Sequence, residues 1–439
     1  MVKVSQSSKN IYQLASVFFF NSFSLCTLSA LSQTFIDSVA ESEGINKHAG
    51  YYSGFLSYLV FTFGHFVATP IVEIISPKWS IVFGLFSYAV YESSFIFMDE
   101  YFLYFAAIFS GFGGSLLYTG QLDYLAQNCE PHTLDRNSSS SWGLSQIATL
   151  LGGFFLLIFY RFQTGNEFDM SLIRLIVGSF MVSTILSIFD ASLLSKPVFK
   201  AKKNQEPYLK HLSQIVQISF DRNMLLLLPS FVYTGIEMSF YFAVFPTMVS
   251  FTKSLGNTRD LNIVAMIFVG FGNICGCFIL SFLGARVREI GRKYLVLMAA
   301  CVHLISFILL FLSFPDESPL QPTESSSFLK SSQYSVVLCG VLIGFGDAII
   351  NQQCYTILND IYDKSQRVEA FAVYRFYQSL AGSIAMLYSA HVLLKVHVTV
   401  LITVGVIATA TFFGIRIPKH HYQEAASCDE TEKKNIEIL

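Results

Sequence analysis

Charged residues are scarce in this chain of 439 residues. Asp, Glu, Lys and Arg together make up 13% of it, whereas a soluble domain carries about 25%. A soluble protein of this length would divide into two or three domains with polar surfaces between them. Too few polar side chains are present to cover such surfaces, so the composition excludes an ordinary soluble protein.

Positive and negative side chains are nearly balanced in number, with 28 Lys and Arg against 30 Asp and Glu. The net charge is −2, which gives no electrostatic basis for nucleic-acid binding. The sequence contains no Walker loop, no HExxH or CxxC motif and no recognisable nucleophile triad. His65 and His303 have no cysteine or acid at ligand spacing, which favours hydrogen-bonded over metal-ligating roles. We therefore expect no enzyme activity, no metal, no cofactor and no nucleic-acid partner.

Hydrophobic residues, by contrast, make up 53% of the chain and occur in long runs that are rich in its 44 Phe residues. A transmembrane helix needs about 20 mostly apolar residues, and helices satisfy their own backbone hydrogen bonds in lipid. The runs predict an all-α polytopic membrane protein with twelve transmembrane helices. The predicted spans are 11–34, 51–75, 80–98, 102–127, 141–161, 171–194, 223–250, 261–284, 294–314, 335–361, 369–394 and 398–416.

Lys and Arg residues are distributed unevenly among the predicted loops. If the N-terminus is cytosolic, the cytosolic segments hold twenty of the 28 Lys and Arg residues and the opposite loops hold six. Cytosolic loops of membrane proteins carry such an excess, so we expect both termini in the cytosol. The plasma membrane and an endosomal or lysosomal membrane are equally compatible with this topology.

The longest predicted cytosolic connection divides the spans into two sets of six. We expect an N-terminal six-helix bundle at 1–194, a linker at 195–222, a C-terminal six-helix bundle at 223–417 and a cytosolic tail at 418–439. Apolar residues in the linker recur at nearly helical spacing beside several lysines. This pattern predicts an amphipathic helix on the inner leaflet, and the alternative is a simple tether between the bundles.

Short similarities relate the two predicted bundles. The sequence Gly-Phe-Gly-Gly at 111–114 in span four has a counterpart, Gly-Phe-Gly-Asp at 344–347, in span ten. Parallel repeats around an axis along the membrane normal are the layout of major facilitator proteins, whose binding site lies between the two halves. The repeat therefore favours two pseudo-symmetric bundles, the major facilitator fold.

The segment between spans eight and nine contains Gly284, six further residues and then Gly291-Arg292-Lys293. It resembles the loop motif of the major facilitator superfamily. The resemblance implies a gating role for Gly284, Gly291, Arg292 and Lys293. Arg288 stands where that motif usually has Asp, a residue that takes part in the gating contacts, and this departure argues against transport.

More specific stretches occur in order along the whole chain. They are Gly50-Tyr51, Arg136-Asn137-Ser138, Met224-Leu225-Leu226-Leu227, Tyr233-Thr234-Gly235 with Glu237, Gly346-Asp347, Ala370-Phe371-Ala372 and Gln378-Ser379. Through them the chain resembles the Unc-ninety-three-like family of the major facilitator superfamily, and within it the branch described as major facilitator superfamily domain-containing protein eleven. The resemblance implies a transporter-like protein in a family whose members include a potassium-channel regulatory subunit and an escort of Toll-like receptors.

Two acids inside the predicted spans are the main candidate site residues. A charged side chain at the bilayer centre costs about 2.5–3.5 kcal/mol on insertion scales. Glu237 lies halfway along span seven near Tyr233, and Asp347 lies in the middle of span ten, one turn before Asn351. The resemblance implies that spans seven and ten line a central cavity, so both acids would lie at a substrate or proton site. A carboxyl group in such a cavity can hold a proton near neutral pH.

An alternative is that each acid only fixes helix packing through a hydrogen bond to its neighbour.

Three further polar residues are weaker candidates for substrate or proton binding. Arg375 lies near the start of span eleven, Gln378 follows one turn later, and Gln121 lies near the cytosolic end of span four. Arg375 lies roughly 12 Å closer to the cytosolic face than Asp347, at 1.5 Å per residue. It therefore either reaches up toward an acid or extends its side chain to the interface.

Two functions are compatible with these features. The first is a transporter that moves a small solute by alternating access with proton coupling, using Glu237 and Asp347. The alternative is a non-transporting protein that regulates a potassium channel or escorts a membrane receptor, with that channel or receptor as its partner. The lipid bilayer surrounds the protein in both cases.

Overall fold

The computed structural model shows an all-helical protein. Gly284, Arg288 and the predicted tail at 418–439 lie outside the residues that it describes. The described residues are 6–128, 134–161, 168–198, 208–283, 287, 290–362 and 366–416.

The first half of the chain forms six long helices. Aspartates begin two of them: Asp99 accepts a hydrogen bond from the amide of Phe102, and Asp169 accepts one from the amide of Leu172. Such N-cap bonds satisfy amide groups that have no partner inside the helix. The helices are α1 (Gln6–Glu43), α2 (Ala49–Ile75), α3 (Pro77–Phe97), α4 (Glu100–Ala126), α5 (Leu134–Arg161) and α6 (Met170–Ser192).

In the second half the described residues form one short helix followed by six long ones. The short helix, α7, lies where the linker sequence predicts an amphipathic helix. The long helix α8 contains a π-helical turn at Phe240–Val244. The helices are α7 (Tyr208–Ser219), α8 (Arg222–Phe251), α9 (Thr258–Leu283), α10 (Arg292–Ser313), α11 (Gln333–Ile361), α12 (Arg367–Ser389) and α13 (Leu394–Phe412).

Ten of the described helices are long and apolar enough to cross a membrane, and among the long helices α5 and α12 are the exceptions. The continuous part of α5 whose side chains the structure describes, Ile147–Ile158, is an apolar segment shorter than a span, whereas α12 carries Glu369, Arg375 and Gln378. The packing of both helices agrees with a place between the halves. Helix α5 packs against α9, and α12 packs against α2, so both helices lie at the boundary between the halves rather than facing lipid on every side.

Glycine residues allow close helix approaches at equivalent places in the two halves. A Cβ atom at Gly111 of α4 would overlap the carbonyl oxygen of Ser57 in α2. A Cβ atom at Gly344 of α11 would overlap the carbonyl oxygen of Val269 in α9. Gly111 and Gly344 begin the two repeated sequences, so the repeat corresponds to the same helix contact in each six-helix bundle.

The long helices begin and end at two opposite faces of the molecule. We call the end where α1 begins and α13 ends the terminal face, and the other end the distal face. At the distal face the Thr34 hydroxyl donates to the Ser250 hydroxyl (3.3 Å), and the Tyr51 hydroxyl donates to the carbonyl of Pro319 (3.1 Å). These hydrogen bonds hold the bundles together at the distal face.

Candidate functional site

Helices α8 and α11 bring two carboxyl groups into contact near the middle of the bundle. Glu237 lies in α8 immediately before the π-helical turn, and Asp347 lies at the centre of α11. The two side chains are within hydrogen-bonding contact. Their residues are 1% and 6% exposed. The two acids that the sequence singled out thus form one buried carboxyl pair.

Asp347 has several hydrogen-bond donors around it. The side-chain amide of Asn273 in α9 donates to Oδ2 (2.9 Å), and that of Asn351 donates to Oδ1 (2.6 Å). The Tyr241 hydroxyl and Glu237 also lie within hydrogen-bonding contact of its carboxyl group. Hydrogen bonds of this kind offset the cost of removing a carboxylate from water.

Glu237 has a poorer set of partners. Among the described residues its Oε1 atom has no hydrogen-bond partner, although His303 Nε2 lies 3.7 Å away. The His303 ring is itself held on both sides: Nε2 donates to the carbonyl of Ile343 (3.0 Å), and Nδ1 accepts from the Tyr233 hydroxyl (2.6 Å). We assign this tautomer because a carbonyl oxygen only accepts hydrogen bonds. Tyr233 therefore reaches the carboxyl pair through His303.

A series of side-chain amides extends from Asp347 toward α12. Asn351 Oδ1 accepts hydrogen bonds from the Tyr374 hydroxyl (2.9 Å) and from Gln378 Nε2 (3.0 Å). Gln378 Nε2 also lies 3.2 Å from the hydroxyl oxygen of Thr234 in α8. Three helices, α8, α11 and α12, thus share one buried polar network.

Arg375 is exposed and lies at the end of this network. Its Nη1 atom donates to Gln378 Oε1 (2.8 Å), and its guanidinium carbon lies 5.3 Å from the centre of the Tyr374 ring. Arg375 reaches Asp347 through the two amides of Gln378 and Asn351. Arg375 is thus connected to the acid without touching it, and its exposed side chain is compatible with extension toward the interface.

Arg292, one of the predicted gating-loop residues, forms a second polar cluster at the terminal face. Gly291 precedes α10 with φ of +92°, a conformation that glycine adopts without strain. Arg292 then donates from Nε to Asp360 (2.6 Å), and from Nη1 to Thr356 (2.6 Å) and Gln353 (3.2 Å). Arg292 thus fastens the start of α10 to the end of α11.

Two predicted residues lie away from the carboxyl pair. The Lys293 ammonium group lies over the rings of Tyr294 (5.2 Å) and Phe413 (5.5 Å), which connects α10 to the end of α13. Gln121 is half-buried in α4 near the terminal face. Among the described contacts, Gln121 makes none with the network around Asp347.

Sequence reasoning did not assign Asn273 and His303 to this site. Asn273 is an amide in the apolar middle of α9, and that contrast with its neighbours is the signal that would have identified it. His303 is similarly isolated in α10. Neither position is near Glu237 or Asp347 in the sequence, so only the packing of α9 and α10 against α11 reveals the association.

Several solved transporter structures have the same architecture. A crystal structure of the nucleoside transporter NupG superposes with a TM-score of 0.65 at 12% identity, covering 92% of this chain and 98% of that one. A D-xylose-proton symporter gives 0.66 at 15% identity, covering 94% and 98%. A peptide transporter POT in complex with sulfate gives 0.67 at 10% identity, covering 93% of each chain. The protein therefore has the major facilitator fold that the repeat indicated.

Sequence comparison identifies relatives along most of the chain. UNC93-like protein MFSD11 of Xenopus tropicalis is 26% identical over 432 residues, which are 94% of this chain and 96% of the relative. UNC93-like protein 3 of Arabidopsis thaliana is 22% identical over 82% of this chain and 77% of its own length. The family model described as ion channel regulatory protein UNC-93 matches residues 41–413. The chain belongs to the UNC-93 family.

Proposed function

We propose that this UNC-93 family protein moves a small solute by alternating access and that proton binding at the Glu237–Asp347 pair drives the change between its two states. The observation that carries the proposal is the contact between two buried carboxyl groups in a fold shared with transporters. Two ionised carboxylates in contact repel each other strongly where water is excluded. A single proton held between them removes that repulsion.

The distribution of donors supports Glu237 as the residue that holds this proton. Asn273, Asn351 and Tyr241 surround Asp347, whereas Glu237 Oε1 has no hydrogen-bond partner among the described residues. A proton on Glu237 then makes that residue a donor to Asp347. When the proton leaves, two negative charges face each other across α8 and α11, and the arrangement with these helices in contact becomes less favourable. The protein responds by populating the other state.

The domain arrangement belongs to the same proposal. Residues 1–194 and 223–417 would rock as two bodies, with 195–222 as the linker and its helix α7 on the membrane surface. The excess of Lys and Arg in the loops of the terminal face supports a cytosolic location for both termini. In the present structure hydrogen bonds join the bundles at the distal face, which corresponds to the state that is closed on the non-cytosolic side.

The proton site is testable without a known solute. The full chain, reconstituted in liposomes on a solid-supported membrane, is exposed to a rapid pH jump, and the charge displaced by proton binding is recorded. We expect Glu237→Gln and Asp347→Asn to remove this signal. Glu92→Gln is the matched control, because Glu92 is a fully buried acid in α3 that accepts a hydrogen bond from Thr184 (2.7 Å), away from the pair.

Solute movement requires a second measurement. Proteoliposomes with an inward proton gradient are tested for uptake of radiolabelled nucleosides, D-xylose and peptides, the solutes named for the structural neighbours. Uptake that depends on the gradient should fall to background in Glu237→Gln and remain in Glu92→Gln. Full activity and an unchanged proton signal in both Glu237→Gln and Asp347→Asn would exclude this mechanism.

Regulation of a partner channel is the second candidate, and the description of the matching family model favours it. Under this alternative the protein co-purifies with a channel or receptor in mild detergent, and partner currents or partner location change when it is deleted. Glu237→Gln separates the two functions, since it would stop transport and leave a purely regulatory association intact.

A further inference from the structure

Arg375 of α12 faces His65 of α2 across the boundary between the bundles. The Thr62 hydroxyl donates to the Ser379 hydroxyl (2.8 Å), which fixes the register of the two antiparallel helices. One turn from this bond toward the terminal face leads to His65 on α2 and to Arg375 on α12. The packing of Phe66 against Phe376, with ring centres 5.3 Å apart, confirms this register.

The Arg375 guanidinium has unused donors on the exposed side of the network. Gln378 accepts one of its hydrogen bonds, and the Tyr374 ring lies beneath its plane. A guanidinium group carries five N–H donors. Among the described residues Arg375 has no carboxylate in salt-bridge contact, so its positive charge is not neutralised by a direct partner.

His65 contributes a second group without a partner. Its Nε2 atom is buried and has no hydrogen-bond partner among the described residues. The ring packs edge-on against Phe61, with centres 4.4 Å apart, and interacts electrostatically with Arg375. A buried polar atom of this kind normally finds a partner, and a molecule bound between His65 and Arg375 would provide one.

The surroundings of these two groups are mainly aromatic. Phe63 and Phe66 both pack against Phe376, and the Tyr118 ring of α4 packs against Phe61 (5.9 Å). Tyr118 also interacts electrostatically with Arg375. This part of the α2–α12 boundary therefore combines a fork of positively charged donors with aromatic neighbours. The planar guanidinium matches the two oxygens of a carboxylate, and aromatic rings favour other aromatic rings.

We propose that Arg375 and His65 bind the carboxylate of an aromatic organic anion at the boundary between α2 and α12. This deepens the proposed transport function by naming its solute class, and it rests on that function only for the movement of the anion. The side-chain amides of Gln378 and Asn351 connect Arg375 to Asp347 of the carboxyl pair. The bound anion and the bound proton therefore occupy neighbouring but separate sites.

Binding is measured by thermal unfolding of the detergent-purified full chain in the presence of benzoate, with sodium chloride at equal ionic strength as the reference. Benzyl alcohol and benzylamine serve as the neutral and cationic analogues. We expect stabilisation by benzoate alone. Equal stabilisation by benzylamine, or none by benzoate, would overturn the proposal, and stabilisation by phenyl phosphate without benzoate would overturn the carboxylate assignment.

Three variants locate the binding site. Arg375→Gln should weaken benzoate binding about 10- to 100-fold, because charged hydrogen bonds are lost. Arg375→Lys keeps the charge without the fork and should weaken binding less than Arg375→Gln. His65→Phe keeps the aromatic packing and should weaken binding about fivefold, the effect of one neutral hydrogen bond. Unchanged affinity in a folded Arg375→Gln protein would contradict the assignment.

Glu237→Gln separates this proposal from the transport mechanism. It should remove the proton signal and leave benzoate binding within about twofold of the unmodified protein, since Glu237 does not touch Arg375. Loss of benzoate binding in Glu237→Gln would contradict the two separate sites. If the unmodified protein gives a normal proton signal but does not bind benzoate, the anion site is refuted and the proton site is not.

Discussion

The backbone of Gly346 lies directly against the imidazole ring of His303. A Cβ atom at position 346 would overlap the ring at Cδ2 and Nε2. The same ring accepts the Tyr233 hydroxyl, and its Nε2 atom lies 3.7 Å from Glu237. The absence of a side chain at Gly346 therefore determines how close α10 approaches α11 beside the carboxyl pair.

We expect Gly346→Ala to displace His303 and to break its hydrogen bond with Tyr233. Overpacking of this kind costs about 1–3 kcal/mol, which thermal unfolding in detergent measures. Gly178→Ala in α6 is the matched control, because no heavy atom lies within 4 Å of a Cβ atom built there. Alanine is favoured over glycine in helices, so this control should be unchanged or slightly more stable. Equal stabilities of the two variants would contradict the packing argument.

The Arg292 cluster supports a second stability prediction. The Arg292 and Asp360 side chains are 11% and 21% exposed and meet at 2.6 Å. Lysine cannot reproduce hydrogen bonds from both Nε and Nη1, so we expect Arg292→Lys to lower the unfolding free energy by about 1–3 kcal/mol. The measurement is chemical or thermal unfolding in detergent.

A more exposed ion pair provides the comparison for Arg292. Lys395 and Asp316 meet at 3.1 Å with side chains 58% and 37% exposed. Exposed pairs contribute less than about 1 kcal/mol, so Lys395→Ala should have a smaller effect than Arg292→Lys. The reverse order would show that Arg292 does not hold α10 to α11.

The helices were largely predictable from sequence because span length depends on local apolar content. The predicted span 171–194 corresponds to α6 at Met170–Ser192, and 335–361 corresponds to α11 at Gln333–Ile361. The largest difference is α1, predicted at 11–34 and observed at Gln6–Glu43. Hydropathy cannot detect such extensions, because a helix continues past the hydrocarbon region with polar residues.

The site was predictable only in part, for a physical reason. Glu237 and Asp347 stand out because a carboxyl group in an apolar run is costly. Their contact with each other, and the role of His303, depend on how separate helices rotate and pack. The same holds for Arg375. Its position along α12 does not reveal that the side-chain amides of Gln378 and Asn351 link it to Asp347.

The start of α6 gives a pH-dependent prediction. Hydrogen bonds from the Leu172 amide and the Ser171 hydroxyl lower the pKa of Asp169. A lowered pKa means that the stabilisation is present above the ordinary carboxyl range and is lost as the pH falls below about 4. Asp169→Ala should therefore cost about 0.5–2 kcal/mol at pH 7 and less under acidic conditions.

Asn is about as good an N-cap as Asp, so Asp169→Asn is the control. It should unfold close to the unmodified protein at pH 7 and change little with acidification. Thermal unfolding between pH 3 and pH 7 compares the three proteins. A penalty for Asp169→Ala that stays constant over this range would show that ionised Asp169 does not stabilise the helix start.

The distal face provides a test of the conformational change itself. Thr34 of α1 and Ser250 of α8 have hydroxyl oxygens 3.3 Å apart, close enough for cysteines at these positions to form a disulfide. We expect the double variant Thr34→Cys, Ser250→Cys to crosslink under mild oxidation. A protease site inserted in the linker at 199–207 makes the crosslink visible, because only the crosslinked halves stay together on a denaturing gel.

The crosslinked protein should no longer transport, because the distal face cannot open, yet it should still bind benzoate beside Arg375. Reduction of the disulfide should restore uptake, and Thr34→Cys alone should behave as the unmodified protein under oxidation. If the crosslinked protein carried solute at the full rate, opening of the distal face would not be part of the mechanism. Transport by rocking of the two bundles would then be excluded, whatever the roles of Glu237 and Asp347.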